Sequence, residues 1–273
     1  WRRALPAAGG SSADGCRGKS GEKAVPRAAC EAEADPGLTR PSVSGHPFPR
    51  QPILPRSAAV SFELPEWFHR MFSSPGFAPY RDATGGDDRR AWDLYRWNIE
   101  VSEAFYCPLH CLEVSLRNAQ HAELSARFGR ADWWVVAPLR KHELAKVAQA
   151  ERSLWRKGSD APTTDDVITE LSFGFWASLL SRSYDRYLWV PALYRAFPHY
   201  SGRRGELHDN LQAMVLLRNR VMHHEPIHHR RLEADHVKVY RLLGYLEPAV
   251  VVWLRDFDRV LEVLGRRPEG RDR

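Results

Sequence analysis

Apolar residues recur at helical spacing through most of the chain, beginning near Glu63. Gly and Pro interrupt this pattern at intervals that are typical of connections between helices. No segment sustains the alternation of period two that a half-buried strand would show. The pattern therefore predicts an all-α fold, a multi-helix bundle without a β-sheet.

Local signals suggest where the predicted helices begin and end. Pro108 is expected to kink or break the first long helix, and Gly129 is a candidate C-cap for the helix that follows it. Thr163 or Thr164 can cap the helix with the broadest apolar face. The predicted helices cover residues 87–105, 112–129, 137–157, 163–180, 191–197, 206–223 and 232–264, the last divided near Gly244 or Pro248.

The first sixty residues have a different composition from the rest of the chain. They contain eight prolines and seven glycines, with one Phe, one Trp and no apolar periodicity. This composition predicts a disordered tail over residues 1–60. The helical domain is expected over residues 61–265, followed by a disordered C-terminus over residues 266–273.

The net charge of +6 invites a nucleic-acid interpretation, but residues 1–60 carry +4 of it. Any anion-binding surface in the helical domain must therefore be local. No run of eighteen apolar residues occurs, which argues against a membrane-spanning helix. Four cysteines are too few for a disulfide scaffold, and no signal peptide is recognised, so a cytoplasmic location is expected.

The densest cluster of polar residues contains Arg218, Asn219 and His223. Asn219 and His223 are four positions apart and share one face of a helix, and Arg218 is long enough to reach the same spot. Cleavage of a phosphodiester needs an acid, a base and a cation, which such a set can supply. The alternative is structural: Arg218 pairs at a helix terminus and the histidine lies in a surface turn.

Three blocks of sequence resemble one known family in the same order. Residues 217–227 (LRNRVMHHEPI) contain Arg218-Asn219 followed by His223, which matches the R-x4-6-H signature of HEPN domains, and the wider phrase resembles the Abi-like (abortive infection) branch. The other blocks are EVSLRNAQH at 113–121 with DWW at 132–134, and LSFGFW at 171–176 continuing through residues 188–197. The resemblance covers roughly residues 63–265 and agrees with an all-α fold.

The resemblance implies metal-independent cleavage of single-stranded RNA at a composite site in a homodimer interface, without a cofactor. Arg218, Asn219 and His223 would be catalytic, with His224 in reserve because a spacing of five also satisfies the signature. The implied biology is that of a toxin or phage-defence protein, with RNA as substrate and an RNA or protein antitoxin as a neutralising partner. The alternative is a non-catalytic HEPN-type module that binds RNA, a nucleotide or a protein.

A second polar set lies earlier in the chain, where Glu113, Arg117 and His121 follow one another at steps of four. With Asn118, this set is expected to position RNA or support the first site. Two alternatives remain open. One is a weak intrahelical Glu113–Arg117 ion pair beside a solvated His121; the other is an internal pseudo-dimer in which this set is the second half of the active site.

Two short patterns in the sequence resemble metal sites. Residues 224–228 spell H-E-x-x-H, but Pro226 should prevent His224 and His228 from projecting from one helix face, so no metal site is expected. Cys107, His110 and Cys111 also resemble part of a metal site, but Pro108 intervenes and no second Cys/His pair lies at zinc-finger spacing. The two cysteines are therefore expected to be buried thiols in a helix. The tryptophans at helical spacing are expected to pack in the core.

Overall fold

The computed structural model describes residues 62–72, 74–158 and 161–268. These ranges contain ten α-helices, four short 3-10 or π turns and no β-strand, which confirms the all-α prediction. The predicted tail at residues 1–60 lies outside the described residues. The helices are α1 (Glu66–Phe72), α2 (Ser74–Ala83), α3 (Asp88–Phe128), α4 (Lys141–Arg156), α5 (Thr164–Glu170), α6 (Phe173–Ser178), α7 (Arg204–Met222), α8 (Leu232–Leu246), α9 (Pro248–Leu254) and α10 (Val260–Leu264).

The 41-residue helix α3 is the central element of the bundle, and α2, α7, α8 and α10 all pack on it. Asp87 caps its first turn by accepting a hydrogen bond from the Arg90 amide, and Gly129 ends it in the left-handed conformation at φ 68°. The predicted break at Pro108 is wrong, because the helix continues through this residue. Pro108 removes one amide donor, but its ring is buried, and the neighbouring helices hold α3 on both sides of it.

The predicted helix over residues 163–180 is instead two short helices, α5 and α6. The predicted cap at Thr163 is confirmed, since its hydroxyl forms a capping box with Asp166. The break falls at Leu171, which is extended, and Ser172 then caps α6. The spacing of apolar residues does not reveal this break, because α5 and α6 both bury apolar side chains, so the apolar pattern continues from one helix into the next.

Helix α7 agrees with the helix predicted over residues 206–223 to within two residues at its start and one at its end. Its apolar face is buried in the core, and α7 packs on both α3 and α6. The last predicted segment divides before Pro248, where Glu247 is extended and caps α9, so Gly244 lies inside α8. Helix α7 therefore carries the predicted site on a well-packed scaffold.

The core is aromatic and includes the buried tryptophans Trp97, Trp133, Trp134 and Trp176, as the sequence predicts. The indole N–H of Trp97 donates to the Val263 carbonyl at 2.9 Å and so links α3 to α10. The predicted disorder of residues 266–273 does not extend to Arg267, which lies over the Trp97 ring and donates to the His228 carbonyl. None of the described helices is long and apolar enough to span a membrane.

Candidate functional site

Arg218 is fixed by an ion pair that joins two distant parts of the chain. Its Nε lies 3.0 Å from Oε2 of Glu113 on α3, and its Nη2 lies 3.5 Å from Oε1. Glu113 Oε1 also accepts a hydrogen bond of 3.0 Å from the Phe173 amide at the first turn of α6. One carboxylate thus connects α3, α6 and α7. The Glu113–Arg117 pair, one of the alternatives left open by the sequence, is absent from the described ion pairs, because Glu113 pairs with Arg218 on α7 instead.

Asn219 and His223 lie on the solvent side of the C-terminal end of α7, and both are exposed. The His223 amide donates to the Asn219 carbonyl at 2.9 Å, which ends the helix at His223. Among the described residues, neither side chain has a hydrogen bond or an ion pair. Leu216, one turn earlier on the same face, is 59% exposed. The amide and the imidazole therefore remain open to a ligand.

The expectation that Arg218 converges with Asn219 and His223 on one spot is only partly met. Successive helical residues are rotated by about 100°, so Arg218 projects from a different side of α7 than the Asn219–His223 pair. Its guanidinium lies against Glu113, with the side chain 28% exposed. The structure therefore brings Asn219 and His223 together and places Arg218 beside them as a fixed cation.

His224 follows with an unusual backbone conformation. Its φ of 58° is in the left-handed region, the only such value for a described residue other than glycine. The Glu225 amide donates to the Arg220 carbonyl at 2.9 Å, which closes the turn after α7. Such a conformation costs roughly 1–3 kcal/mol in a residue with a Cβ. The turn exposes the His224 side chain at the rim of a cavity of about 620 Å³.

The earlier Arg-Asn-His set has a different environment. Arg117 Nε donates to the neighbouring Asn118 Oδ1 at 3.2 Å. His121 is half-buried, and its Nδ1 accepts a hydrogen bond of 3.2 Å from the Trp133 indole. Burial lowers the pKa of His121, which agrees with a neutral, accepting imidazole. The alternative of a solvated His121 is therefore wrong: this histidine anchors the segment after α3.

The H-E-x-x-H pattern does not form a helical zinc site. Helix α7 has already ended at Met222, His224 is exposed, and His228 is buried. No cluster of three or more ligating side chains that could hold a metal ion occurs in the described part of the chain. Cys111 is buried and Cys107 is partly buried, and burial raises the pKa of Cys107 to about 11.

Asn98 organises the turn after α7, and the sequence analysis missed it. Its side chain is almost fully buried, and its Oδ1 accepts from the amides of Ile227 at 2.8 Å and His228 at 3.1 Å. The available signal was its position between Leu94 and Val101 on the apolar face of α3. A lone amide among core positions implies a buried polar partner.

Comparisons with protein-family models, curated proteins and solved structures found no match to this chain.

Proposed function

We propose that this protein is a metal-independent endoribonuclease of the HEPN type, acting on single-stranded RNA through Arg218, Asn219 and His223. The observation that carries the proposal is the open Asn219–His223 pair at the end of α7, next to the fixed cation Arg218. The resemblance to Abi-like sequences adds the expected biological role, a toxin or phage-defence protein held in check by an antitoxin.

In this mechanism, a His223 imidazole takes the proton of the ribose 2′-hydroxyl. The 2′-oxygen then attacks the adjacent phosphorus, the bond to the 5′-oxygen breaks, and a 2′,3′-cyclic phosphate forms. A second imidazole, in its protonated form, donates a proton to the leaving 5′-oxygen. Asn219 positions the phosphate through its amide N–H groups, and Arg218 stabilises the added negative charge.

Arg218 retains donors for this role despite its ion pair. A guanidinium has five N–H donors, and Glu113 engages only Nε and Nη2. Nη1 has no partner among the described residues. The ion pair therefore holds the side chain in one orientation and leaves part of its edge for a phosphate oxygen.

The reaction uses two imidazoles, and each chain offers one at this face. A homodimer about a two-fold axis would supply the second copy. The exposed Leu216 on the same face supports such a contact, because an apolar side chain beside the open pair is available for burial between subunits. Light scattering after size exclusion, with activity followed on dilution, tests the dimer: specific activity should fall as dimers dissociate. A fully active monomer would instead favour the pseudo-dimer with Arg117 and His121.

The surface of α4 supports RNA as the substrate. Lys146, Arg152 and Arg156 have no ion-pair partner among the described residues, and Trp155 beside them is 57% exposed. Unpaired cations around an exposed indole suit a single strand, with phosphates on the cations and a base stacked on the ring. The cavity bounded by Lys146 and Arg156 also reaches Ser172, next to the residue that Glu113 holds.

Cleavage of a mixed RNA by purified protein, with and without EDTA, tests the proposal. His223→Ala should lower the rate by roughly 10²–10⁴-fold, and EDTA should have no effect. His208→Ala is the control, since His208 lies near the opposite end of the same helix and its side chain is partly exposed. If His224→Ala gave the large loss instead, the acid-base residue would be His224. Unchanged cleavage in both variants would refute the assignment.

The second candidate function is a non-catalytic module that binds RNA, a nucleotide or a protein through the same face. The observation that favours it is the neutralisation of Arg218 by Glu113, which leaves less free charge for the transition state. This candidate predicts binding of RNA without any product. It also predicts that His223→Ala changes affinity alone.

A further inference from the structure

The cavity of about 620 Å³ beside the turn after α7 has features of a built binding site. Its walls are mostly apolar and aromatic, and come from α1, α2, α3 and the end of α7. Exposed wall residues include Phe72, Ile99 and Tyr106, and Tyr80 and Tyr95 lie deeper. Planar, apolar walls of this kind suit a flat aromatic ligand.

One polar side chain in this cavity has a fixed orientation and unused donors. Asn98 lines the cavity and is 4% exposed. Its Oδ1 accepts two backbone N–H groups, from Ile227 and His228, which uses both lone pairs and sets the direction of the amide. The Asn98 NH₂ group therefore points away from those donors, and it has no partner among the described residues.

The unused NH₂ group restricts what the ligand can be. An asparagine with both of its functions free can pair with the acceptor and donor edge of adenine, but here only the donors remain. The complementary group is a hydrogen-bond acceptor on a flat ring, without a donor beside it to face the Asn98 NH₂ group. Uracil, cytosine and guanine present such an acceptor as a carbonyl oxygen, whereas the edge acceptors of adenine, N1 and N7, both lie beside its N6 amino donors.

The position of the cavity links it to the proposed active site. Met222 and His224 line it, and His223 lies between them in the chain. The left-handed φ of His224 fixes the turn that places these neighbours at the rim. A nucleotide with its phosphate at His223 would thus have its own base or a neighbouring one within reach of the cavity.

We propose that this cavity is a nucleobase-recognition site that takes a carbonyl-bearing base, uracil, cytosine or guanine, of the bound RNA. The identity of the ligand as RNA rests on the proposed function, whereas the preference for a flat ring with a carbonyl acceptor comes from the cavity. The base stacks on the aromatic walls, and Asn98 donates to its carbonyl oxygen.

The test is binding of fluorescent 2′-O-methyl oligouridylate and oligoadenylate, measured by anisotropy at one salt concentration. The 2′-O-methyl group blocks the attacking oxygen, so binding is measured without cleavage. The wild-type protein should bind the uridine strand about tenfold more tightly, the discrimination expected from one well-placed base contact. Equal affinity for both strands would overturn the proposal.

Two test variants, Ile99→Trp and Asn98→Asp, and one control variant locate the preference. Ile99→Trp fills the mouth of the cavity at a half-exposed position and should remove the preference, whereas Val252→Trp, an exposed position on α9 outside the cavity wall, should retain it. Asn98→Asp keeps an oxygen for the two backbone amides and removes the NH₂ donors, so it should also lose the preference. If Asn98→Asp unfolds, the Ile99 variant still decides the question. A preference that survives Ile99→Trp contradicts the proposal.

Cleavage and base preference are separate measurements, so the two proposals can fail independently. If the protein prefers uridine but does not cut RNA, the proposed base site stands and the proposed nuclease activity is wrong. If the protein cuts RNA through His223 but binds both strands equally, the proposed active site stands and the proposed base site is wrong.

Discussion

The chain contains two Arg-Asn-His sets with almost the same sequence spacing, and the histidines of the two sets lie in different environments. In the set on α3, Arg117 bonds to its neighbour Asn118, and His121 is held by the Trp133 indole. In the set on α7, Asn219 and His223 are exposed and have no side-chain partner among the described residues. The difference comes from the helices: α3 is covered on several sides, whereas the end of α7 reaches solvent. The motif on α3 therefore anchors the segment after that helix through His121, whereas the motif on α7 leaves Asn219 and His223 exposed.

The two sets are also physically joined, since Glu113 of the first segment holds Arg218 of the second. The earlier motif therefore contributes to the site through its carboxylate, and its histidine is used for packing. The role expected for Arg117 and Asn118, positioning RNA or supporting the first site, stays a prediction. The exposed polar side chains without a partner among the described residues, Asn219 and His223, lie at the end of α7.

The largest expected effect is the difference in RNA cleavage between variants of His223 and His121. His223→Ala should abolish most cleavage while leaving the melting temperature nearly unchanged, because the side chain is exposed. His121→Ala should lower the melting temperature and leave the cleavage rate per folded molecule within a few-fold, because it removes the Trp133 hydrogen bond. Thermal melts and cleavage rates measured on both variants test this contrast. The reverse pattern would make His121 the catalytic residue.

The next effect concerns His228, which is buried in the turn after α7. Burial, with smaller contributions from His229 and Arg267, lowers the pKa of His228 to about 4. The unfolded chain takes up this proton below about pH 6.5 and the folded chain does not, so stability falls as the pH drops from 6.5 towards 4. His228→Phe should remove about 3 kcal/mol of that loss. Urea unfolding at several pH values measures this loss of stability in both proteins. The same pH profile in His228→Phe as in the wild type would show that His228 does not cause the loss.

A smaller effect should come from Glu113. Glu113→Gln keeps an acceptor for the Phe173 amide but loses the charge that holds Arg218, whereas Glu113→Ala loses both. The alanine variant should be less stable than the glutamine variant by about 1–2 kcal/mol. Both should lower cleavage about tenfold through misplacement of Arg218, an expectation that rests on the proposed mechanism. Wild-type activity in both variants would mean that Arg218 needs no such positioning.

The sequence predicted some parts of this arrangement and missed others for identifiable reasons. The apolar period of α7 was enough to place Asn219 and His223 on one face of the helix, because helical geometry is local. Their exposure is a finding of the structure. The Glu113–Arg218 pair spans 105 positions, and nothing in the local spacing distinguishes it from a Glu113–Arg117 pair. The continuity of α3 through Pro108 likewise depends on neighbouring helices. Tertiary packing decided both outcomes.

The smallest effect should come from Arg117, and it is the sharpest test of the contrast between the two sets. Its only side-chain bond in the described structure is to Asn118, so Arg117→Ala should change stability by no more than about 0.5 kcal/mol. If Arg117 only helps to hold RNA, the variant should bind RNA slightly more weakly, with a salt dependence reduced by about one phosphate contact, and cleave at a nearly normal rate when saturated. An internal pseudo-dimer requires the opposite result, because Arg117 would then stabilise the transition state as Arg218 does. Cleavage at saturating RNA separates the two: a loss of 10²-fold or more in an active monomer would place the second half of the active site on α3, whereas a near-normal rate leaves α7 as the sole source of catalytic groups in each subunit.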